Sequence, residues 1–130
     1  MSELQLKRLR FSKEADNWLR VLKSRTGITP NVLCRMGFCL SLEEAGIPKV
    51  EKYPEDSDRE INRFTLLGEY DALYVALLRQ RMTRDGIVDS EKLDNHFRAH
   101  MGRGVVLLAN RFKHLAELGD ALIRELHSAK

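Results

Sequence analysis

The apolar positions divide this chain into segments of two different periods. Leu4 and Leu6 alternate with Gln5 and Lys7, and Leu9 and Phe11 alternate with Arg8 and Arg10. Every-second-residue spacing predicts a short strand with one buried face. The phase slips between Leu6 and Leu9, which predicts a bulge or an ordered chain that starts at Arg8. From Ser12 the period lengthens. Ala15, Trp18, Leu19 and Leu22 follow helical spacing, with Ser12 as cap, Glu14 and Asp16 in the first turn, and Gly27 as the stop. Thr29-Pro30 opens a second helix as cap and first residue. From Val32 to Leu42 that helix is apolar nearly all round, a pattern that predicts burial on every side. In a chain of 130 residues such burial calls for a partner subunit, so a homo-oligomer, tetramer or dimer, is expected.

Gly46-Ile47-Pro48 ends the second helix, and Lys49 to Asp58 reads as an exposed connector with Ser57 or Asp58 as a cap for the next element. Asn62 to Asp71 leads into a helix through about Arg81, its stripe being Leu66, Tyr70, Leu73, Tyr74, Leu77 and Leu78. Asp85-Gly86 is a turn. Ser90 caps a helix with Leu93, Phe97 and Met101. A last helical stretch runs from about Val105 to Leu126, with Leu108, Phe112, Leu115, Leu118, Leu122 and Leu126 spaced by three or four. Gly102 and Gly104 mark either a break or a close helix crossing. The expected fold is mainly α: a short N-terminal strand, a ribbon-helix-helix-like pair of helices and a C-terminal helical bundle. Residues 1–130 read as a single domain, with a strand-helix-helix module at 6–46 and a helical part at 58–130.

Charge sharpens that division. Lys7, Arg8, Arg10, Lys13, Arg20, Lys23, Arg25 and Arg35 fall within Leu6 to Glu44, against Glu14, Asp16, Glu43 and Glu44, so this stretch carries +4 while the whole chain carries +3. A positive charge gathered in one module points to a polyanion, and these eight residues are the candidate contacts to double-stranded DNA. In ribbon-helix-helix proteins the strands of two subunits pair and enter the major groove. The start of the second helix, at Thr29-Pro30-Asn31, offers free N–H groups to a phosphate. The competing reading of the same charges is a solvated face.

Chemistry of other kinds is thin. Cys34 and Cys39 leave one helix on different faces, which argues against a disulfide and for buried thiols in a reducing compartment. The N-terminal MSELQLKRLRF has no apolar h-region, so no signal peptide is expected, and the longest apolar run, Val105 to Ala109, is too short to span a bilayer. A cytoplasmic protein without a membrane partner is expected. His96 and His100 share a helix face but have no third ligand in view, so packing is expected rather than metal binding. Glu69 and Asp71 lie on opposing sides of a helix and form no acid–base pair. There is no phosphate-binding loop, and Gly102-Arg103-Gly104 is too short to count as one. The sequence thus predicts no enzyme, no cofactor and no metal.

Four blocks together resemble the DndE family of bacterial DNA sulfur modification. They are Arg10-Phe11-Ser12-Lys13, the run Arg25 to Arg35 (RTGITPNVLCR), the run Phe64 to Asp71 (FTLLGEYD), and the run Phe97 to Val105 (FRAHMGRGV). The resemblance implies work in a system that replaces a non-bridging phosphate oxygen of DNA with sulfur. It implies that other subunits carry the sulfur transfer, the iron–sulfur chemistry and the ATPase. This chain would be an oligomeric, non-catalytic DNA-binding accessory, with some preference for nicked DNA. The resemblance lends Glu69, Tyr70, Asp71 and His100 no catalytic role; buried polar contacts between helices are the expectation for them. Two alternatives stay open: a ribbon-helix-helix regulator of its own operon, and a scaffold that binds only protein subunits.

Overall fold

The computed structural model describes residues 4–88 and 92–128. Strand β1 is Arg8–Arg10, with Leu9 inward and the two arginines outward. Its start at Arg8 fits the slip in the apolar phase. Helix α1, Lys13–Thr26, begins at Ser12, whose Oγ accepts the Ala15 N–H at 3.2 Å. It ends at Gly27, whose φ of 74° places it in the left-handed region. Helix α2, Pro30–Glu43, has Thr29 at the cap position and Pro30 in the first turn. The connector after it holds one 3-10 turn, Val50–Lys52.

The next segment departs from the expected helix. Glu60–Asn62 forms strand β2, which pairs antiparallel with β1 in the register Arg8↔Asn62, Leu9↔Ile61, Arg10↔Glu60. The strand read as one half of a ribbon between subunits therefore has its partner within its own chain. Helix α3, Arg63–Leu67, starts with the Asn62 side chain accepting the Phe64 N–H at 2.8 Å. It stops at Gly68, with φ 61° and ψ −147°, a conformation essentially reserved for glycine. A 3-10 turn, Gly68–Tyr70, then leads into helix α4, Asp71–Arg84. One expected helix is thus a strand and two helices: pairing with β1 makes the strand, and Gly68 turns the backbone between α3 and α4.

The reverse holds at the C-terminus. The two expected helices are one, α5, Leu93–Ser128, 36 residues long. The Ser90 cap falls outside the described residues. Gly102 and Gly104 make close contacts rather than a break. A Cβ on Gly37 of α2 would lie 2.6 Å from the Gly104 carbonyl carbon, so the two backbones touch. A Cβ on Gly102 would strike the Tyr53 ring in the connector. Around this crossing lies the core: Leu33, Cys34, Phe38, Leu66, Leu67, Phe97, Met101 and Val105 are buried, together with Leu9, Phe11 and Leu19 from the N-terminal module. The Phe38 ring sits 5.3 Å from Phe97 and 6.1 Å from Tyr74.

Much of the apolar circumference of α2 is thus covered from within the chain. Met36 and Cys39 remain exposed on its outer side. The expectation that both thiols are buried holds for Cys34 alone. No helix among the described residues is long and apolar enough to cross a membrane.

Candidate nucleic-acid interface

Alternation in β1 and helical spacing in α1 decide where the basic side chains go. With Leu9 inward, Arg8 and Arg10 must face out, and Lys7 is exposed beside them. With Ala15, Leu19 and Leu22 buried, Lys13, Arg20 and Lys23 stand on the outer side of α1. The two groups join at segment 56–60. Arg10 reaches it through a hydrogen bond to the Ser57 carbonyl (3.3 Å) and an ion pair with Glu60 (3.7 Å). The Lys13 N–H donates to Asp56 at 2.9 Å.

These six residues differ in how much of their charge remains available. Asp16 is buried on the flank of α1 and takes Arg59 at 2.5 Å and Arg20 at 3.0 Å. Arg20 and Arg10 are therefore partly neutralised, although both stay exposed. Lys7, Arg8, Lys13 and Lys23 make no ion pair among the described residues. Arg59 is a basic neighbour that sequence reading missed, since its partner Asp16 lies 43 positions away. Phe64 was also missed. It is 84% exposed and lines, with Lys7 and Asn62, a cavity of about 460 Å³. It belongs to the FTLLGEYD run, but nothing local shows that it faces water.

The other two candidates lie elsewhere. Arg25 lines a groove of about 300 Å³ between α1 and α5, with Trp18, Phe112 and Asp120. Arg35 turns toward α3, where its guanidinium would sit 2.9 Å from a Cβ at Gly68. The structure thus places six of the eight at β1 and on one side of α1, Arg25 on the other side of α1 toward α5, and Arg35 on α2.

A second polar cluster is interior. Arg81 donates to the carbonyls of Ser41 (3.2 Å), Leu42 (2.7 Å) and Gly46 (2.7 Å), and pairs with Asp85 at 2.9 Å. Arg103 donates to the Ser41 carbonyl (2.7 Å), the Gly46 carbonyl (2.9 Å) and the Ser41 hydroxyl (2.9 Å). Two guanidiniums thereby satisfy the carbonyls left open where α2 ends and meet the negative end of its dipole. The Ser41 hydroxyl accepts from Arg103 and shares a second hydrogen bond with His100 Nδ1 at 2.8 Å. The other ring nitrogen of His100, Nε2, is buried and finds no partner among the described residues. Burial, with Arg103 and Arg81 nearby, pushes the His100 pKa down to about 3. His96 is buried beside it, and its pKa is also lowered by burial.

The expected role of buried polar contacts fits His100 and Asp71. The Asp71 carboxylate holds Arg63 through two bonds of 2.6 and 2.7 Å, and Arg63 also reaches the Leu4 carbonyl at 2.7 Å. Glu69 and Tyr70 are exposed instead. Burial pushes the Cys34 thiol up to about 12, and the Cys39 thiol is raised as well, by burial and by Glu43.

Comparison with known proteins points one way. The family described as DNA sulphur modification protein DndE matches residues 8–116. No curated protein matches. Among solved structures, DndE from Escherichia coli B7A, involved in DNA phosphorothioation modification, is similar with a TM-score of 0.66 and 27% identity, over 82% of this chain and 99% of that one. A DndE mutant with two glycines changed to lysine shares the fold with a TM-score of 0.62 and 24% identity, over 79% of this chain and 97% of that one.

Proposed function

Because this chain belongs to the DndE family of DNA sulphur modification proteins, we propose that it serves DNA phosphorothioation as a non-catalytic subunit that holds duplex DNA by its phosphates. The observation that carries this reading is the run of exposed, unpaired cations on β1 and α1: Lys7, Arg8, Lys13 and Lys23. Arg10 and Arg20 flank them with part of their charge taken up by Glu60 and Asp16. A phosphate backbone releases counterions to such residues whatever the sequence, which suits a factor that must act on many sites.

The sulfur chemistry belongs to other subunits in this reading. A sulfur carrier needs a thiolate, and both thiols here are held in the protonated form, Cys34 most strongly. His100 is buried and its Nδ1 is bonded to Ser41, which fits a packing role between α2 and α5. Partners are therefore duplex DNA in the bacterial cytoplasm, the catalytic subunits and further copies of this chain. A preference for nicked duplex accords with the chemistry, because exchanging a phosphate oxygen for sulfur favours a distorted backbone. The regulator alternative is the weaker one: a ribbon built by two subunits needs a strand that β1 already finds in β2.

Fluorescence anisotropy on matched intact and nicked duplexes tests this. If about four to six phosphates are neutralised, log K against log[salt] should have a slope of roughly −4 to −5. A salt-independent affinity overturns the phosphate reading, and equal affinities for the two duplexes overturn the nick preference.

A further inference from the structure

The face of α5 that packs on α2 does not end where α2 ends. α2 runs antiparallel along it: Ser41 lies beside His100, and Gly37 touches Gly104. At one rise per residue on each helix, Pro30 comes level with about residue 111. Beyond that point the same stripe continues as Phe112, Leu115, Gly119, Leu122 and Leu126, a heptad spacing of three and four. Leu115 is 67% exposed, Leu122 56% and Leu126 69%, with Leu118 at 57% and Ile123 at 54% alongside. Lys113, Glu117, Asp120 and Arg124 occupy the opposite face. The match to the DndE family stops at residue 116, so most of this stripe is an addition to the family fold.

We propose that residues 111–125 of α5 form an antiparallel two-helix coiled coil with the same segment of a second copy. Complementarity within the segment itself selects that occupant. With the pair centred on residue 117, the layers set Phe112 against Leu122 of the second copy, and Leu115 against its Gly119. Large side chains then meet smaller ones, and the glycine leaves room for a leucine. In an antiparallel pair the positions just before the seam face one another. Here they set Arg111 against Glu125 of the second copy, twice over by symmetry, with Leu118 meeting Leu118 at the centre. Neither Arg111 nor Glu125 makes an ion pair among the described residues. A parallel pair forfeits all of this. It stacks glycine on glycine at position 119, leaves a void, and puts Arg111 beside Ala116.

The full chain tests the pairing. In sedimentation velocity over a hundredfold range of concentration, the wild type should show reversible self-association. Leu122→Glu should weaken it by about tenfold or more. Arg111→Glu and Glu125→Arg should each weaken association, and the two in one chain should restore it, because the swapped pair is again complementary. Mixing the two single variants should also restore it. In a Cys39→Ser background, Leu118→Cys should give a chain-to-chain crosslink under mild oxidation or with a short bismaleimide. Far-UV circular dichroism confirms that each variant keeps its helices. A wild type that stays a single copy throughout overturns the proposal. So do association unchanged by Leu122→Glu, which assigns the face to another occupant, and single swaps that the double swap fails to rescue. Absence of the position-118 crosslink overturns the antiparallel register.

Discussion

Arg81 and Arg103 turn inward onto the carbonyls that close α2, whereas Lys7, Arg8, Lys13 and Lys23 stand in water on β1 and α1 without an acid partner among the described residues. Both groups contribute to the same net charge of +3, yet only the second is available to a ligand. Arg81, buried, and Arg103, half-buried, are held by bonds of 2.7 to 3.5 Å to main-chain oxygens, so both charges are met by fixed dipoles and that of Arg81 also by Asp85. A count of basic residues therefore measures two quantities at once: cations that build the fold and cations that the fold leaves over. Arg10 and Arg20 fall between, exposed but tethered to Glu60 and Asp16.

The interior group should fail first when disturbed. The largest loss is expected at the crossing it flanks. Gly104→Ala puts a Cβ into the Gly37 backbone, and since backbone cannot rotate away, the cost should be about 3 kcal/mol or more, read as a lower urea midpoint. Arg81→Met comes next. It removes a guanidinium and leaves the Leu42 carbonyl and the partly buried Asp85 without it, while Arg103 still serves the Ser41 and Gly46 carbonyls, at a cost of about 2–4 kcal/mol in the same assay. A loss below about 0.5 kcal/mol would show that water replaces the arginine freely, and the contrast between the two groups would collapse.

Acid should act on the interior group as well. The folded His100 pKa of about 3 lies below the ordinary histidine value of 6.5. The unfolded chain therefore takes up this proton first as pH falls. The stability contributed by a neutral His100 is complete above about pH 6.5 and is lost progressively toward pH 3, by up to about 1.4 kcal/mol per pH unit. Carboxylates titrate in the lower part of that window, so the comparison is with His100→Gln, whose stability should fall less steeply between pH 6.5 and 4. Equal slopes would remove His100 from the acid response.

The smallest effect on stability, and the largest on DNA, is expected on the outer group. Lys23→Ala should change the urea midpoint by less than about 0.5 kcal/mol, as solvated positions do. It should weaken binding on every DNA sequence alike and flatten the salt slope by about one. Arg25→Ala, in the groove toward α5, should leave that slope unchanged. If the two variants behave alike, the line drawn between the β1–α1 row and its surroundings is in the wrong place.

By itself the sequence determined what depends on near neighbours. Ser12, Gly27 and Thr29-Pro30 mark the ends of α1 and α2 because caps and stops act within about four residues. The outward direction of Arg8, Arg10, Lys13, Arg20 and Lys23 followed from the position of the apolar residues between them. The motif blocks named the family. Everything with a distant partner waited for the tertiary structure. β2 is three residues long and exists because β1 lies beside it. Gly68 breaks a helix where the apolar spacing runs on, while Gly104 breaks nothing, and the difference lies in a backbone angle at one and a facing helix at the other. Which cations remain free was equally out of local reach, since Arg59 finds Asp16 across 43 positions, Arg81 finds Ser41 across 40, and Arg103 finds it across 62. Local spacing sets the direction of a side chain. What waits at the end of it is set by the path of the chain through space.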